Sequence, residues 1–308
     1  MSDRILVTPR SAPGHPALDR LTAAGLELVL PSPGAVPTIE QQRDAIAGCV
    51  GYLAGIEPIP REVIAAGAPT LRVISRNGTG ADAVDHDAAR EWGVRVMTAP
   101  AANAQGVAEL AIALMLTAAR SLPPSIAGIG RGEWVRVQGI ELAGRTLGLI
   151  GAGQIGRRVA RIALAFGMRV RAYDAYPDPQ AAPEGDFAFG ELEEVLAAAD
   201  VVSLHCPPSP QPLIDAAALR LVPEGAILVN TARAGLVDDD AVHAALESGR
   251  LRAYACDVFD PEPPGTTALI RHPRFVGTAH LGGYTRESVE RAMTAAADNL
   301  LNALGFER

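Results

Sequence analysis

Lysine is absent from this chain: all 27 basic residues among its 308 are arginine. A P-loop needs a lysine on its phosphates, a pyridoxal enzyme needs one for its Schiff base, and a protein kinase needs one on a strand. All three classes are excluded. Cysteine is scarce, with Cys49, Cys206 and Cys256 far apart. There is no CxxC and no even set of cysteines, which argues against structural zinc and for a reducing compartment. No apolar run is long enough to span a bilayer. The opening residues Met1-Ser2-Asp3-Arg4 lead straight into a strand pattern without the features of a signal peptide. Positive charge is also in deficit, 27 basic against 35 acidic residues, for a net charge of −8. An acidic surface attracts neither nucleic acid nor an anionic membrane. The expectation is a cytoplasmic protein with no nucleic-acid partner and no membrane partner.

What is present is apolar and alternating. Hydrophobic residues make up 48 % of the chain, and 308 residues exceed what one core usually serves, so two domains are expected. Strand-like runs recur near Ile5–Thr8, Leu26–Leu30, Val50–Leu53, Leu71–Ser75 and Val94–Thr98. They recur again near Thr146–Ile150, Arg169–Tyr173, Val201–His205, Ala226–Asn230, Ala253–Asp257 and Arg274–Thr278. Amphipathic segments such as Thr38–Ala47 and Asp82–Trp92 lie between them, and Ala101–Arg120 and Arg286–Leu304 read as long helices. This alternation predicts an α/β fold with two doubly wound parallel sheets.

One of those strands, Thr146–Ile150, runs into Gly151-Ala152-Gly153-Gln154-Ile155-Gly156. A helical pattern follows, and the next strand ends on Asp174. This is the layout of a dinucleotide-binding βαβ unit. Gly151 permits the tight turn, Gly153 lets backbone approach a pyrophosphate, and Gly156 lets the helix pack close to the strand. The free N–H groups at the helix start are suited to an anion. The bland alternative is a tight βα turn with no ligand. Roughly a hundred residues precede the motif with strands and helices of their own, so they should form a separate α/β domain. The final helix could pack back on that domain and make it discontinuous.

In open parallel sheets, ligands bind at the carboxyl ends of strands. Thr231-Ala232-Arg233 follow one such end, Asp257 closes another and leads to Glu262, and His280 follows the last, with Gly282 just beyond. A cation, a carboxylate and an imidazole therefore share the edge that carries the glycine turn. His205-Cys206 tempts a metal reading, but no ligand cluster accompanies them, so no metal is expected. His205 reads instead as a strand end beside the cofactor.

The segments Asn230–Asp238, Asp257–Pro264 and His280-Leu281-Gly282-Gly283 resemble the signatures of the D-isomer-specific 2-hydroxyacid dehydrogenases. So do Ser75–Asp82 and Val107–Leu110, and the resemblance runs in order along nearly the whole chain, closest to the phosphoglycerate dehydrogenase-like branch. It implies a Rossmann NAD-binding domain over 101–280, a flavodoxin-like substrate domain over 1–100 with 281–308, and an active site in the cleft. By matching position, His280 would be the general acid and base on the 2-oxo oxygen. Glu262 would orient His280 and favour its protonated form, and Arg233 would grip the substrate carboxylate.

Gly151, Gly153, Gln154, Ile155, Gly156, Asp174, His205, Cys206, Thr231, Ala232, Arg233, Asp257, His280 and Gly282 would surround the cofactor. Asp257 would reach the nicotinamide carboxamide. Asp174, with no arginine after it, would favour NAD over NADP. Backbone N–H groups of Ala54, Gly55, Arg76, Asn77 and Gly78 would hold the substrate carboxylate, and the Arg76 side chain could bind a phosphate. The implied substrate is a small 2-hydroxy or 2-oxo acid, either 3-phosphoglycerate or a short acid such as glyoxylate or hydroxypyruvate. A homodimer would form through the Ala101–Arg120 helix and the Gly/Pro-rich arm running to Trp134. Two further readings compete: a dinucleotide-sensing corepressor, and a methyl transferase. An intact Arg233, Glu262 and His280 set speaks against the first and is unexplained by the second.

Overall fold

The computed structural model describes residues 3–306, and within them the apolar runs become parallel strands and the amphipathic stretches become helices. Two compact units result, one reaching Asn103 and resuming at Gly283, the other spanning Ala104–Gly282.

The first unit contains β1 (Arg4–Val7), α1 (Pro16–Ala23), β2 (Glu27–Val29), α2 (Ile39–Ile46), β3 (Cys49–Ala54), α3 (Arg61–Gly67), β4 (Val73–Arg76), α4 (His86–Glu91) and β5 (Arg95–Met97). Its five strands lie in the order β2-β1-β3-β4-β5, all parallel. Local chemistry sets the helix starts. Thr38 and Gln41 form a reciprocal capping box at α2, with bonds of 3.2 and 2.9 Å. The Asp85 carboxylate caps α4 through the Ala88 N–H at 2.8 Å.

The second unit contains α5 (Ala104–Arg120), α6 (Leu122–Gly130), β6 (Thr146–Ile150), α7 (Gln154–Ala165), β7 (Arg169–Tyr173), β8 (Phe187–Phe189), α8 (Leu192–Ala198) and β9 (Val201–Leu204). It continues with α9 (Ala216–Leu221), β10 (Ala226–Asn230), α10 (Asp239–Ser248), β11 (Leu251–Cys256), α11 (Ala268–Arg271) and β12 (Phe275–Gly277). The seven strands are parallel in the order β12-β11-β10-β9-β6-β7-β8. Strand order therefore reverses between β6 and β9, the switch point where a doubly wound sheet opens a crevice. α5 and α7 share one core under this sheet, where Ala108, Ala111 and Met115 are buried in one cluster with Val159, Ala160 and Ala163.

Three local expectations need correction. The long helix starts at Ala104, not Ala101, because Ala101 has a left-handed backbone (φ +60°) inside a turn that the Ala102 N–H closes on the Ala99 carbonyl. The arm leading to Trp134 is not irregular throughout: Leu122–Gly130 is helical, with prolines in its first turn, where their missing N–H groups have no intrahelical partner to lose. A seventh strand, β8, pairs at the edge beside β7; three residues are too few to show a period.

The last helix, α12 (Arg286–Leu304), belongs to the first unit. Thr285 caps it through the Ser288 N–H at 3.1 Å, and Gly305 ends it in the left-handed conformation (φ +84°). Met293, Ala296, Ala297 and Leu300 are buried with Leu21, Leu53 and Val73 in one cluster. Gly51 makes room for this: a Cβ there would stand 2.8 Å from Ile5 Cδ1 and 3.1 Å from Leu300 Cδ2. Because the first unit draws part of its core from after residue 282, Leu300→Ala should lower its unfolding free energy by about 2–5 kcal/mol. Urea denaturation checks this, and a loss under about 1 kcal/mol would show that α12 is not part of that core.

Candidate active site

At the switch point of the second unit, β6 ends in a turn that only glycine fits. Gly151 has φ +97°, and a Cβ on it would lie 2.7 Å from the His205 carbonyl oxygen. A Cβ on Gly156 would lie 2.0 Å from the Gly151 oxygen, so α7 can approach the turn only with glycine there. Gly153 differs: a Cβ on it meets nothing within 4 Å, leaving bare backbone facing open space. No side chain caps α7 at Gly153, so the first-turn N–H groups, including those of Gln154 and Ile155, are left to an outside acceptor.

Asp174, past the end of β7, braces the turn. Its Oδ2 accepts the Ala152 N–H at 2.7 Å and its Oδ1 accepts the Tyr176 N–H at 2.9 Å. Each carboxylate oxygen keeps further acceptor capacity for a hydroxyl pair. At the end of β9, His205 shares a 2.9 Å hydrogen bond with Ser203 through Nε2, while its buried Nδ1 has no partner among the described residues. Burial pushes the His205 pKa down to about 3, so the ring is neutral. Burial likewise pushes the Cys206 thiol up to about 11, and the Asp174 charge adds to the rise. Thr231 Oγ1, past β10, is also buried and unpartnered among the described residues. Bare glycine backbone, uncapped helix N–H groups, a braced carboxylate and two orphaned polar atoms on one sheet edge make a set that fits a dinucleotide.

The remaining groups follow β10, β11 and β12. Asn230 folds the turn after β10: its Oδ1 accepts the Ala232 N–H at 3.0 Å and its Nδ2 donates to the Arg233 carbonyl at 2.8 Å. This sets Arg233 just beyond the sheet edge, half-buried, with Nη1 donating to the Ala232 carbonyl at 2.7 Å. Asp257 is only 1 % exposed and receives three donors. These are the Thr278 hydroxyl at 2.6 Å, the Leu281 N–H at 2.8 Å and the Gly282 N–H at 2.9 Å. The carboxylate thus clasps the turn on either side of His280, which holds a left-handed backbone (φ +52°) that a non-glycine residue seldom adopts. Asp257, expected from the resemblance to reach the cofactor, holds this turn as well.

His280 Nδ1 lies 2.8 and 2.9 Å from the two oxygens of Glu262. A carboxylate only accepts, so Nδ1 carries hydrogen and donates, leaving Nε2 for proton exchange. Glu262 is itself held by the Phe259 N–H at 3.0 Å. Asp257, Glu262 and His280 are thus directly linked to one turn, while Arg233 stands on the neighbouring strand end. Among the described residues, no group of His, Cys, Asp and Glu side chains could hold a metal ion.

The expected substrate loops of the first unit look different. The Gly55 N–H is spent on Thr8 Oγ1 at 3.0 Å and Glu57 Oε1 at 2.8 Å. The Asn77 N–H goes to the Ala54 carbonyl at 2.8 Å and that of Gly78 to the Arg76 carbonyl at 2.9 Å. Ala54 and Gly55 are buried. The N–H groups of Gly55, Asn77 and Gly78 thus already have acceptors within the unit, while Asn77 and Gly78 themselves are half-exposed. Arg76 is half-buried, its Nη1 donating to the Asn77 carbonyl at 2.8 Å. Glu57 is the group that sequence reasoning missed: one carboxylate in an Ile-Glu-Pro loop reads as solvated, and only the fold buries it.

The family model for the D-isomer specific 2-hydroxyacid dehydrogenase, NAD binding domain, matches residues 112–282. A D-3-phosphoglycerate dehydrogenase from Methanocaldococcus jannaschii is 41 % identical over 254 residues, covering 81 % of this chain and 48 % of that protein. The chain thus spans about half the length of the phosphoglycerate dehydrogenases it matches. A hydroxypyruvate reductase from Thermotoga maritima is 37 % identical over 257 residues, covering 80 % of this chain and 82 % of that protein. A crystal structure of a Thermus thermophilus protein superposes with a TM-score of 0.89 at 38 % identity, covering 99 % of this chain and 98 % of that one.

The Asp257 clasp makes a prediction of its own. Asp257→Asn presents an amide in place of one acceptor oxygen and should cost about 1–3 kcal/mol. Hydrogen exchange at Leu281 and Gly282 should accelerate, and unchanged protection there would mean that the turn stands without the carboxylate.

Proposed function

The chain belongs to the D-isomer specific 2-hydroxyacid dehydrogenase family, and from that premise we propose that it is an NAD-dependent oxidoreductase acting at C2 of a D-2-hydroxy acid or its 2-oxo acid. The observation that carries the proposal is the His280–Glu262 pair at 2.8 Å on the Asp257-held turn, on the same sheet edge as the glycine turn. Bound at the Gly151–Gly156 turn, the nicotinamide cofactor supplies or accepts the hydride. His280 Nε2 delivers a proton to the carbonyl oxygen in reduction and takes it from the hydroxyl in oxidation. Glu262 keeps Nδ1 protonated throughout, so the imidazole cycles between charged and neutral forms at Nε2 only. Arg233, a planar cation that keeps its charge, pairs with the substrate carboxylate and polarises the adjacent carbonyl.

Asp174 supports NAD over NADP: its carboxylate accepts ribose hydroxyls and repels a 2′-phosphate. Two kinds of acid are in view. One carries a phosphate, after the name of the Methanocaldococcus jannaschii relative; the other is short and unphosphorylated, after that of the Thermotoga maritima relative. Three free cysteines accord with a cytoplasmic setting. We further propose that the protein is a homodimer through the α5–α6 arm. What supports it is that Ile126, Ile129 and Trp134 are 68, 58 and 82 % exposed on one short stretch, apolar side chains that a partner copy would cover.

The decisive assay follows NADH oxidation over a panel of 2-oxo acids. Turnover with at least one is expected, with NADPH far poorer. His280→Ala should lower kcat/KM by about 10²–10⁴-fold while NADH binding persists. Equal efficiency with NADPH, or full activity of His280→Ala, would contradict the proposal. For the arm, sedimentation should give twice the chain mass, and Ile126→Glu with Trp134→Glu should shift it to one; a wild-type monomer removes the dimer.

A further inference from the structure

No arginine follows Asp174 along its loop, but the fold brings one there from another element. Arg157 stands directly after Gly156 on α7, and its Nη1 lies 3.5 Å from Oδ2 of Asp178, four residues past Asp174. The contact joins the two segments that flank Asp174, the helix opening at the glycine turn and the loop after β7. Asp174 also holds both, through the Ala152 N–H and the Tyr176 N–H. Asp178 is placed by stiff chain. Pro177 and Pro179 stand on either side of it and restrict its backbone, which is extended (φ −114°, ψ 92°). Its Oδ1 accepts the Gln180 N–H at 3.2 Å, and Oδ2 faces the guanidinium. The Arg157 side chain is 22 % exposed, against 59 % for Asp178, so the cation lies down on the protein beneath the loop. Its neighbour Arg158 is turned back along α7, donating to the Gln154 carbonyl at 2.5 Å and to Gln154 Oε1 at 3.0 Å.

An ion pair with one exposed partner adds little to stability, so its consequence here is in what it does to the charge around Asp174. A guanidinium beside the ribose-binding carboxylate is the group that accommodates a 2′-phosphate, which its planar fork can grip at two oxygens. Left free, Arg157 would work against the preference that Asp174 sets. We propose that Asp178 is a specificity-determining residue for the dinucleotide: by occupying Arg157 it denies a 2′-phosphate its cation. The inference rests on the dehydrogenase reading above and adds a second residue to its choice of NAD. Asp178 also places a second carboxylate four positions from the first. A phosphomonoester carries about −1.5 to −2 charges and meets both, which is discrimination by repulsion. A ribose with free hydroxyls carries no such charge and finds in Asp174 an acceptor. Asp174 thus selects through what it binds, and Asp178 through what it withholds.

The test measures the Kd of NADH and of NADPH by nicotinamide fluorescence, without substrate, for wild type, Asp178→Asn and the double variant Asp178→Asn with Arg157→Ala. Asparagine keeps an oxygen for the Gln180 N–H and removes the charge. Wild type should prefer NADH by about tenfold or more. Asp178→Asn should narrow that ratio about fivefold or more by tightening NADPH, with NADH changed by less than about twofold, and the double variant should restore it. An unchanged ratio in Asp178→Asn overturns the inference and leaves the preference to Asp174 alone. A gain that survives the loss of Arg157 also overturns it. So does equal weakening of both dinucleotides, the result expected of a pair that merely ties the loop to α7. A wild type that binds NADH and NADPH alike overturns the choice of NAD, and one that binds neither overturns the dehydrogenase reading; the inference falls with either.

Discussion

A parallel strand leaves its sheet with backbone N–H groups that no neighbouring strand receives, and in this chain three carboxylates collect them. Asp174 past β7 takes the N–H groups of Ala152 and Tyr176. Asp257 past β11 takes those of Leu281 and Gly282. Glu57 past β3 takes that of Gly55. A buried acceptor with a full charge makes short, strong bonds to such donors, and an orphaned N–H would otherwise cost about 1–3 kcal/mol. The loops at the carboxyl edges of both sheets are thereby shaped by side chains rather than by further strand pairing.

The chemistry of the second unit depends on this shaping. His280 occupies a left-handed backbone conformation, and the residues after it are tied to Asp257. With the backbone held, Glu262 18 positions away meets Nδ1 at 2.8 Å. The tautomer follows, and with it the availability of Nε2. Asp257, through the backbone it holds, thus sets where the His280 ring nitrogens stand. The glycine turn obeys a similar logic, since the Gly151–Gly156 approach brings the α7 N-terminus to the same edge.

Much of this architecture is legible in the amino-acid order. Thr146–Ile150, Arg169–Tyr173 and Ala226–Asn230 are strands with the bounds that their apolar runs suggest: the first and last are buried throughout, the middle one buries Val170 and Ala172, and glycine or a polar residue punctuates each. Arg286–Leu304 is a helix with its threonine cap and terminal glycine in place. β8 escapes notice because three edge residues carry no period, and α6 because its prolines read as an irregular arm. The side-chain roles are harder to see. Glu57 looks solvated in sequence and Asp257 looks like a strand end facing the cofactor; their burial and partners come from strands and loops brought together only by the fold. The N–H groups of Gly55 and Asn77 look available until the β3–β4 register and the Thr8 and Glu57 side chains claim them.

The central claim is direct hydride transfer to C2, with the proton on the hydroxyl oxygen coming from His280. NADH carrying deuterium at both C4 positions, incubated with the enzyme and hydroxypyruvate in ordinary water, tests it in one spectrum. The account predicts a single deuterium at C2 of the product and the D configuration there. Protium at C2, or the L product, would contradict it.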